Sequence, residues 1–242
     1  RFCQVTGVQT CALPILEALR VNAVGTWILA ELSGLYGVER FVMISSDKAV
    51  HPSSVMGATK RIAERLLLGA QGVHPSTRYM TVRFGNVLGS RGSVVPLFER
   101  QIRKGGPVTV THRDMRRYFM LIPEAVSLVL QAGAMGHGGE LYVLDMGEPV
   151  NITEMAETLI RLHGHEPYKD VEITFTGVRP GEKLYEELFY DPDHVDRTSH
   201  EKIFLSRLQE ESEFLIERVK EILSTAPDDR AARQRIFSLV SG

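Results

Sequence analysis

Between Leu16 and Phe84 the chain runs helix, apolar strand, helix, apolar strand, and that order confines it to an α/β fold. Apolar residues at helical spacing (Leu19, Val21, Val24, Ile28, Leu32) predict a helix over 16–36, with Gly37 where a helix would stop. Residues 40–46, RFVMISS, read as a strand of the buried parallel type, followed by a polar loop containing Pro52. A helix from Gly57 to Leu68 and a strand from Arg78 to Phe84 complete a strand–helix–strand unit, which predicts a doubly wound parallel sheet. Beyond Val95 the elements are shorter. Helices are expected over 96–104, 123–135 and 153–163, strands over 107–111, 140–145 and 171–176. The apolar positions of 122–130 are expected to be core, and 210–224 and 228–240 read as two solvated helices.

A sheet of this kind that holds a dinucleotide carries a glycine-rich strand-to-helix turn, with an acidic residue about 20 positions later. The sequence has neither. Gly133-x-x-Gly136-x-Gly138-Gly139 follows a helix and precedes a strand, so it reads as a helix stop and turn. If the sheet binds a nucleotide, its first strands and its loop are not in this sequence. The open parallel edge and bared helix faces then predict a chain of low stability. The opening residues do not fill the gap. Val5–Ile15 reads as the translation of a common short-read sequencing adapter, which sets 1–15 apart from the fold. Val5-Thr6-Gly7 imitates the start of a nucleotide turn, but no second or third glycine follows.

With 28 basic against 30 acidic side chains there is no cationic surplus for nucleic acid. No apolar run approaches the roughly 20 residues that span a bilayer. Both cysteines, Cys3 and Cys11, fall in the suspect opening, and the remainder suits a reducing cytoplasm. His163 and His165 have no cysteine or third ligand nearby in sequence, so no metal site is expected.

The densest polar stretch, Ser45 to Lys60, begins at a strand's carboxyl end, where open α/β sheets place ligands. Asp47 and Lys48 are adjacent, so one could give a proton while the other takes one. Lys60 lies four residues after Met56, on one helical face. A helix cap with solvated charges is the plainer reading of the same loop.

Four blocks decide between these readings: Ser45-Ser-Asp-Lys-Ala-Val50, Val55-Met-Gly-Ala-Thr-Lys60, the run from Arg83-Phe-Gly-Asn86 to Phe98, and Thr176-Gly-Val-Arg-Pro-Gly-Glu-Lys183. Together with Asn22-x-x-Gly25-Thr26 they resemble an extended short-chain dehydrogenase/reductase. More narrowly, they resemble the capsular polysaccharide-type nucleotide-sugar 4,6-dehydratases, over about Leu16 to Leu188. The resemblance implies a partial Rossmann-type domain over 16–95, a mixed α/β UDP-sugar lobe with elements returning to the sheet over 96–190, and a helical tail over 191–242. It implies NAD-dependent dehydration of UDP-N-acetylglucosamine by oxidation at C4, loss of water across C5–C6 and reduction at C6.

By the same resemblance Asp47 protonates the departing C6 hydroxyl and Lys48 removes the C5 proton. Lys60, Phe84 and Gly85 meet the cofactor, and Asn86, Arg117, Arg179 and Glu182 meet the substrate, three of them (Asn86, Arg117, Arg179) at its diphosphate. Lys48 is expected where desolvation or neighbouring positive charge favours the amine. Met56 departs from the tyrosine most short-chain dehydrogenases carry there, and a thioether has no proton to exchange. Asp47, Lys48 or a water held by Ser46 must then take the C4 hydroxyl proton. Methionine resembles the membrane-anchored subgroup that retains C5 configuration, implying a 4-keto-6-deoxy product of xylo configuration. Arg116 stands where a small polar residue is expected, so which of the paired arginines binds stays open. The resemblance also implies a homo-oligomer in the cytoplasm, with any membrane anchor in segments outside this sequence. A UDP-sugar 4-epimerase or 4-keto reductase, and a UDP-sugar-binding fragment without catalysis, are the alternatives.

Overall fold

The computed structural model describes residues 15–90, 92–190, 195–206 and 214–240. The expectations for residues 1–14, and for the start of the helix at 210, lie outside the described residues. In chain order the elements begin with α1 (Ile15–Leu19), a π-helical turn (Arg20–Val24), α2 (Gly25–Leu35), β1 (Arg40–Ile44), a 3-10 turn (Asp47–Ala49), α3 (Val55–Val73) and β2 (Arg78–Arg83). There follow β3 (Asn86–Leu88), α4 (Val94–Arg103), β4 (Val108–Val110), β5 (Arg116–Arg117), β6 (Phe119–Leu121), α5 (Ile122–Met135), β7 (Glu140–Leu144), β8 (Val150–Asn151), α6 (Ile152–Leu162) and β9 (Ile173–Phe175). The chain closes with β10 (Val195–Arg197), β11 (Ile203–Ser206), α7 (Leu215–Thr225) and α8 (Asp229–Ser238).

Two compact units result. The sheet unit takes residues 15–84, 126–145 and 187–240. Its strands run β1-β2-β7-β11-β10, parallel across the first three, with β11 antiparallel to β7 and β10 antiparallel to β11. Val42 pairs with Met80, and Val82 with Tyr142, so β2 is a buried central strand of the kind its apolar run predicted. β1 has one strand neighbour among the described residues, and Leu29, Leu35 and Tyr36 beside it are exposed, as expected for an open edge. The helix expected over 16–36 forms with a π-turn inside it, where Asn22 Nδ2 donates to Thr59 Oγ1 on α3 at 3.0 Å. Ser54 caps α3 by accepting from Gly57 N, and Arg40 caps the far end of α5 by donating to the carbonyls of Gly133, Ala134 and Gly136.

Three expectations are corrected. The segment 191–242 is not simply a helical tail, because β10 and β11 extend the sheet. Nor are its helices solvated all round: each has a buried face. Leu215, Val219, Ile222, Ile236 and Leu239 are buried against Leu19, Ala23, Ala58, Ile62 and Leu66, and Arg65 on α3 donates to the Leu239 carbonyl. At about 1.5–3 kcal/mol per fully buried aliphatic side chain, this packing makes α7 and α8 part of the core. In α5, Ala125, Leu128 and Ala132 are buried, whereas Ile122, Val126 and Leu130 are exposed. The 3.6-residue period puts those two sets on different sides of the helix, so only one of the two apolar stripes is core.

The other unit takes Gly85–Ala125 and Met146–Glu186. Its core gathers Val94, Phe98 and Ile102 of α4, Val108 and Val110 of β4, Ile152, Ala156 and Ile160 of α6, and Val171 and Ile173 near β9. Three two-stranded ladders frame it: β3 with β6, β4 with β9, and β5 with β8. Asn151 caps α6 by accepting from Thr153 N and Glu154 N.

Candidate active site

β1 ends at Ile44, and the chain turns at once into the 3-10 turn Asp47–Ala49. Ser46 caps that turn, accepting from Lys48 N at 3.3 Å, while the Asp47 backbone N–H donates to the Phe84 carbonyl just past β2. The strand ends therefore fix the turn, and the turn fixes three side chains. Asp47 is fully buried. Its Oδ1 accepts from Ser46 Oγ at 2.8 Å and from Lys48 Nζ at 2.9 Å. Its Oδ2 is buried and has no hydrogen-bond partner among the described residues. The close neighbour of Lys48 is a carboxylate and not the positive charge expected as one option, while the lysine side chain itself is 25% exposed.

Met56 and Lys60 share α3, as their spacing predicts. Lys60 Nζ donates to the Ile44 carbonyl at 3.1 Å, and burial pulls its ammonium below the usual lysine range, with the Glu64 carboxylate opposing. Gly57 is required by a close approach: a Cβ there would sit 2.0 Å from the Lys48 carbonyl oxygen. The first turn of α3 thus packs directly on the backbone of the catalytic candidate.

Behind the turn lies a cluster that the sequence reading missed. Glu64, one helical turn after Lys60, is fully buried. Its carboxylate accepts from Ser45 Oγ (2.6 Å), Arg83 Nε (3.1 Å), Arg83 Nη2 (2.7 Å) and Arg61 Nη1 (3.4 Å). The available signal was a pair of charges in otherwise apolar patterns: Arg83 closes a buried strand, and Glu64 sits on the buried face of α3.

The substrate-side candidates fall in the other unit. Asn86 donates from its amide to the Tyr118 carbonyl at 3.1 Å, which ties β3 to β6. Arg117 is buried and committed: it donates to the carbonyls of Arg116 (2.7 Å), Leu184 (3.1 Å) and Lys183 (2.8 Å) and pairs with Glu182 at 3.4 Å. Its guanidinium holds the 182–184 loop in place. Arg116 is exposed. Arg179 is exposed on the turn that carries Glu182, closed by Glu182 N donating to the Arg179 carbonyl at 3.0 Å. Pro180 and a positive-φ Gly181 at its centre give that turn type II geometry. Gly85 N donates to Met146 Sδ at 3.4 Å.

Among the described residues no group of three His, Cys, Asp or Glu side chains is placed to hold a metal ion, and no helix is long and apolar enough to cross a membrane. A family described as polysaccharide biosynthesis protein matches residues 5–208. The chain belongs to that family. A polysaccharide biosynthesis relative is the capsular polysaccharide biosynthesis protein CapD of Staphylococcus aureus, 56% identical over 79% of this chain and 32% of that protein. The chain thus spans about a third of that curated relative. Among solved structures, Pen from Bacillus thuringiensis superposes with a TM-score of 0.75 at 33% identity, over 85% of this chain and 64% of Pen. MoeE5, solved in complex with UDP-glucose and NAD, superposes with a TM-score of 0.60 at 25% identity, over 74% of this chain and 64% of MoeE5. The polysaccharide biosynthesis match ends before α7, so the helices that complete the core of the sheet unit lie beyond it.

Proposed function

We propose that the chain carries the catalytic residues of an NAD-dependent UDP-N-acetylglucosamine 4,6-dehydratase that serves polysaccharide biosynthesis. The observation that supports this most is the Ser46–Asp47–Lys48 constellation, with two donors on one carboxylate oxygen and the other oxygen unsatisfied. Oδ2 is closed to solvent in this conformation, so a sugar hydroxyl would reach the carboxylate through Ser46 Oγ, or directly once the turn opens.

The nicotinamide end of NAD fits the residues present. Lys60 Nζ has three hydrogens and makes one hydrogen bond among the described residues, so two remain for a ribose diol. Phe84 and Gly85 lie at the adjoining strand end of β2. The cofactor supplies reversible oxidation at C4 and reduction at C6.

The chain's own groups move protons. Ser46 Oγ, with the Asp47 carboxylate 2.8 Å away, passes on the proton that leaves the C4 hydroxyl, a task the Met56 thioether cannot perform. Asp47, now a carboxylic acid, delivers that proton to the departing C6 oxygen, and water leaves. Lys48 acts as the amine, collects the C5 proton and returns it to the same face, so C5 keeps its configuration. Protons balance: the C4 hydroxyl proton leaves in water, and C5 loses one proton to Lys48 and regains one from the same nitrogen, whose hydrogens exchange with solvent. Asn86 and Arg179 are the diphosphate ligands of this reading, with Arg117 holding the Arg179–Glu182 turn through Glu182 and the Lys183 and Leu184 carbonyls.

The test is proton NMR of the product from UDP-N-acetylglucosamine and NAD in deuterated water. A 4-keto-6-deoxy sugar with retained C5, deuterated at C5, is expected. Lys48→Ala should lower turnover about a hundred- to ten-thousand-fold and abolish C5 exchange. Inversion at C5 would remove Lys48 from the role of returning the proton. A C4 epimer with its C6 hydroxyl intact would identify a 4-epimerase instead. Calorimetric UDP binding with no ketosugar would leave a binding protein.

A further inference from the structure

We propose that Glu187–Tyr190 is a strap that positions the Asp47–Lys48 turn, with Tyr190 as the positioning residue. Tyr190 Oη donates to the carbonyl of Ala49, the last residue of the 3-10 turn, at 2.9 Å. Its ring lies 4.3 Å from the Arg61 guanidinium carbon and stands edge-on to the His51 ring at 4.7 Å. Arg83 Nη1 donates to the Leu188 carbonyl at 3.3 Å, and Glu187 Oε2 meets His51 Nδ1 at 3.2 Å.

The strap therefore grips the turn from both ends. Ala49 and His51 lie at and just past its close. Arg83 and Arg61 reach back to Glu64, which holds Ser45 just ahead of it. The turn has need of such support. The Ser46 cap and the tie from Asp47 N to the Phe84 carbonyl hold its start, whereas the bonds that close it include two short-range ones, Ala49 N to the Ser46 carbonyl and Val50 N to the Asp47 carbonyl, of a geometry that holds poorly without support. His51 has a φ of 37°, a left-handed conformation that a residue with a Cβ keeps only when its surroundings enforce it. An acid and a base that must both reach one sugar tolerate little displacement, so a contact that fixes their backbone acts on the chemistry without touching substrate.

What the strap serves rests on the dehydratase reading; that it holds the turn does not. Tyr190→Phe keeps the ring on Arg61 and removes only the hydroxyl. In the full chain, amide hydrogen exchange at Ala49 and Val50 should accelerate about tenfold or more, while Ile62 and Ala63 in α3 keep their protection. With UDP-N-acetylglucosamine and NAD, kcat should fall about tenfold and KM stay within about twofold, as expected for misplacement of well under 1 Å. Unchanged exchange at Ala49 and Val50 overturns the proposal. So does a lowered Tm with kcat intact, which would make the hydroxyl merely stabilising. If the wild-type protein forms no ketosugar, the dehydratase reading fails and the exchange measurement alone decides the strap. Should Y190F not fold, Glu187→Gln at the exposed His51 contact carries the same exchange test.

Discussion

Replacing Glu64 with glutamine keeps the shape of the buried cluster and removes its anion. Arg83 is fully buried and Arg61 nearly so, and both guanidinium groups donate to that carboxylate. A neutral amide accepts through one oxygen and turns N–H groups toward guanidinium N–H groups, leaving positive charge out of water without a counter-charge. Breaking a buried pair in this way costs about 3–5 kcal/mol. At a urea dependence of about 2 kcal/mol per molar, the unfolding midpoint of the sheet unit should fall by about 2 M. Trp27, the single tryptophan of the sequence, packs among Leu19, Val219 and Ile222 in that unit and reports its unfolding by fluorescence. Arg83→Met should cost a similar amount. The double variant E64Q/R83M should recover about 1 kcal/mol or more relative to the sum, because Arg83 is then no longer a stranded charge and only Arg61 lacks its counter-charge. A midpoint shift below about 0.5 M for E64Q, or strict additivity in the double variant, would refute the claim that this cluster is held by paired charge.

Two further outcomes follow from the geometry. Gly57→Ala would push a methyl group against the Lys48 carbonyl, so a loss of about 1–3 kcal/mol and faster amide exchange at Ala49 are expected; a variant that melts like the wild type would contradict the close approach. Burial, with the Glu140 carboxylate adding to it, pushes the Tyr142 phenol up to about 12 from 10.0. Between those pH values the unfolded chain ionises this tyrosine while the folded chain does not, so the contribution present below pH 10 is lost on the way to 12. Urea midpoints at mildly and strongly alkaline pH should therefore fall less in Tyr142→Phe than in the wild type; equal slopes would show that Tyr142 does not cause the loss.

Much of the site was legible because its residues are local in sequence. Ser46, Asp47 and Lys48 meet through bonds no longer than a turn, and Met56 and Lys60 through one helical repeat, so spacing alone could group them. Glu64, Arg83, Arg61 and Tyr190 escaped for the opposite reason. Glu64 and Arg83 are 19 positions apart, and Tyr190 Oη reaches Ala49 across 141. Arg117 shows the same limit from another side. Its residue type suited a diphosphate, but which acceptors it has depends on a loop 65 to 67 residues away.

The sequence by itself determined the α/β alternation, the parallel β1–β2 pairing that it implies, and the polar turn at the carboxyl end of β1. Periodicity, caps and strand composition act over a few residues, and no distant partner can overrule them here. The tertiary structure alone decided that one face of α7 and of α8 joins the core, and that β11 and β10 extend the sheet antiparallel. It also decided that only one stripe of α5 is buried, and that Asp47 lies out of water with one oxygen unsatisfied. Each of those depends on which surfaces remain for a segment to cover once the others have packed. Burial is a property of pairs of elements, and a helix with an apolar stripe states only that it needs a partner, not where that partner is.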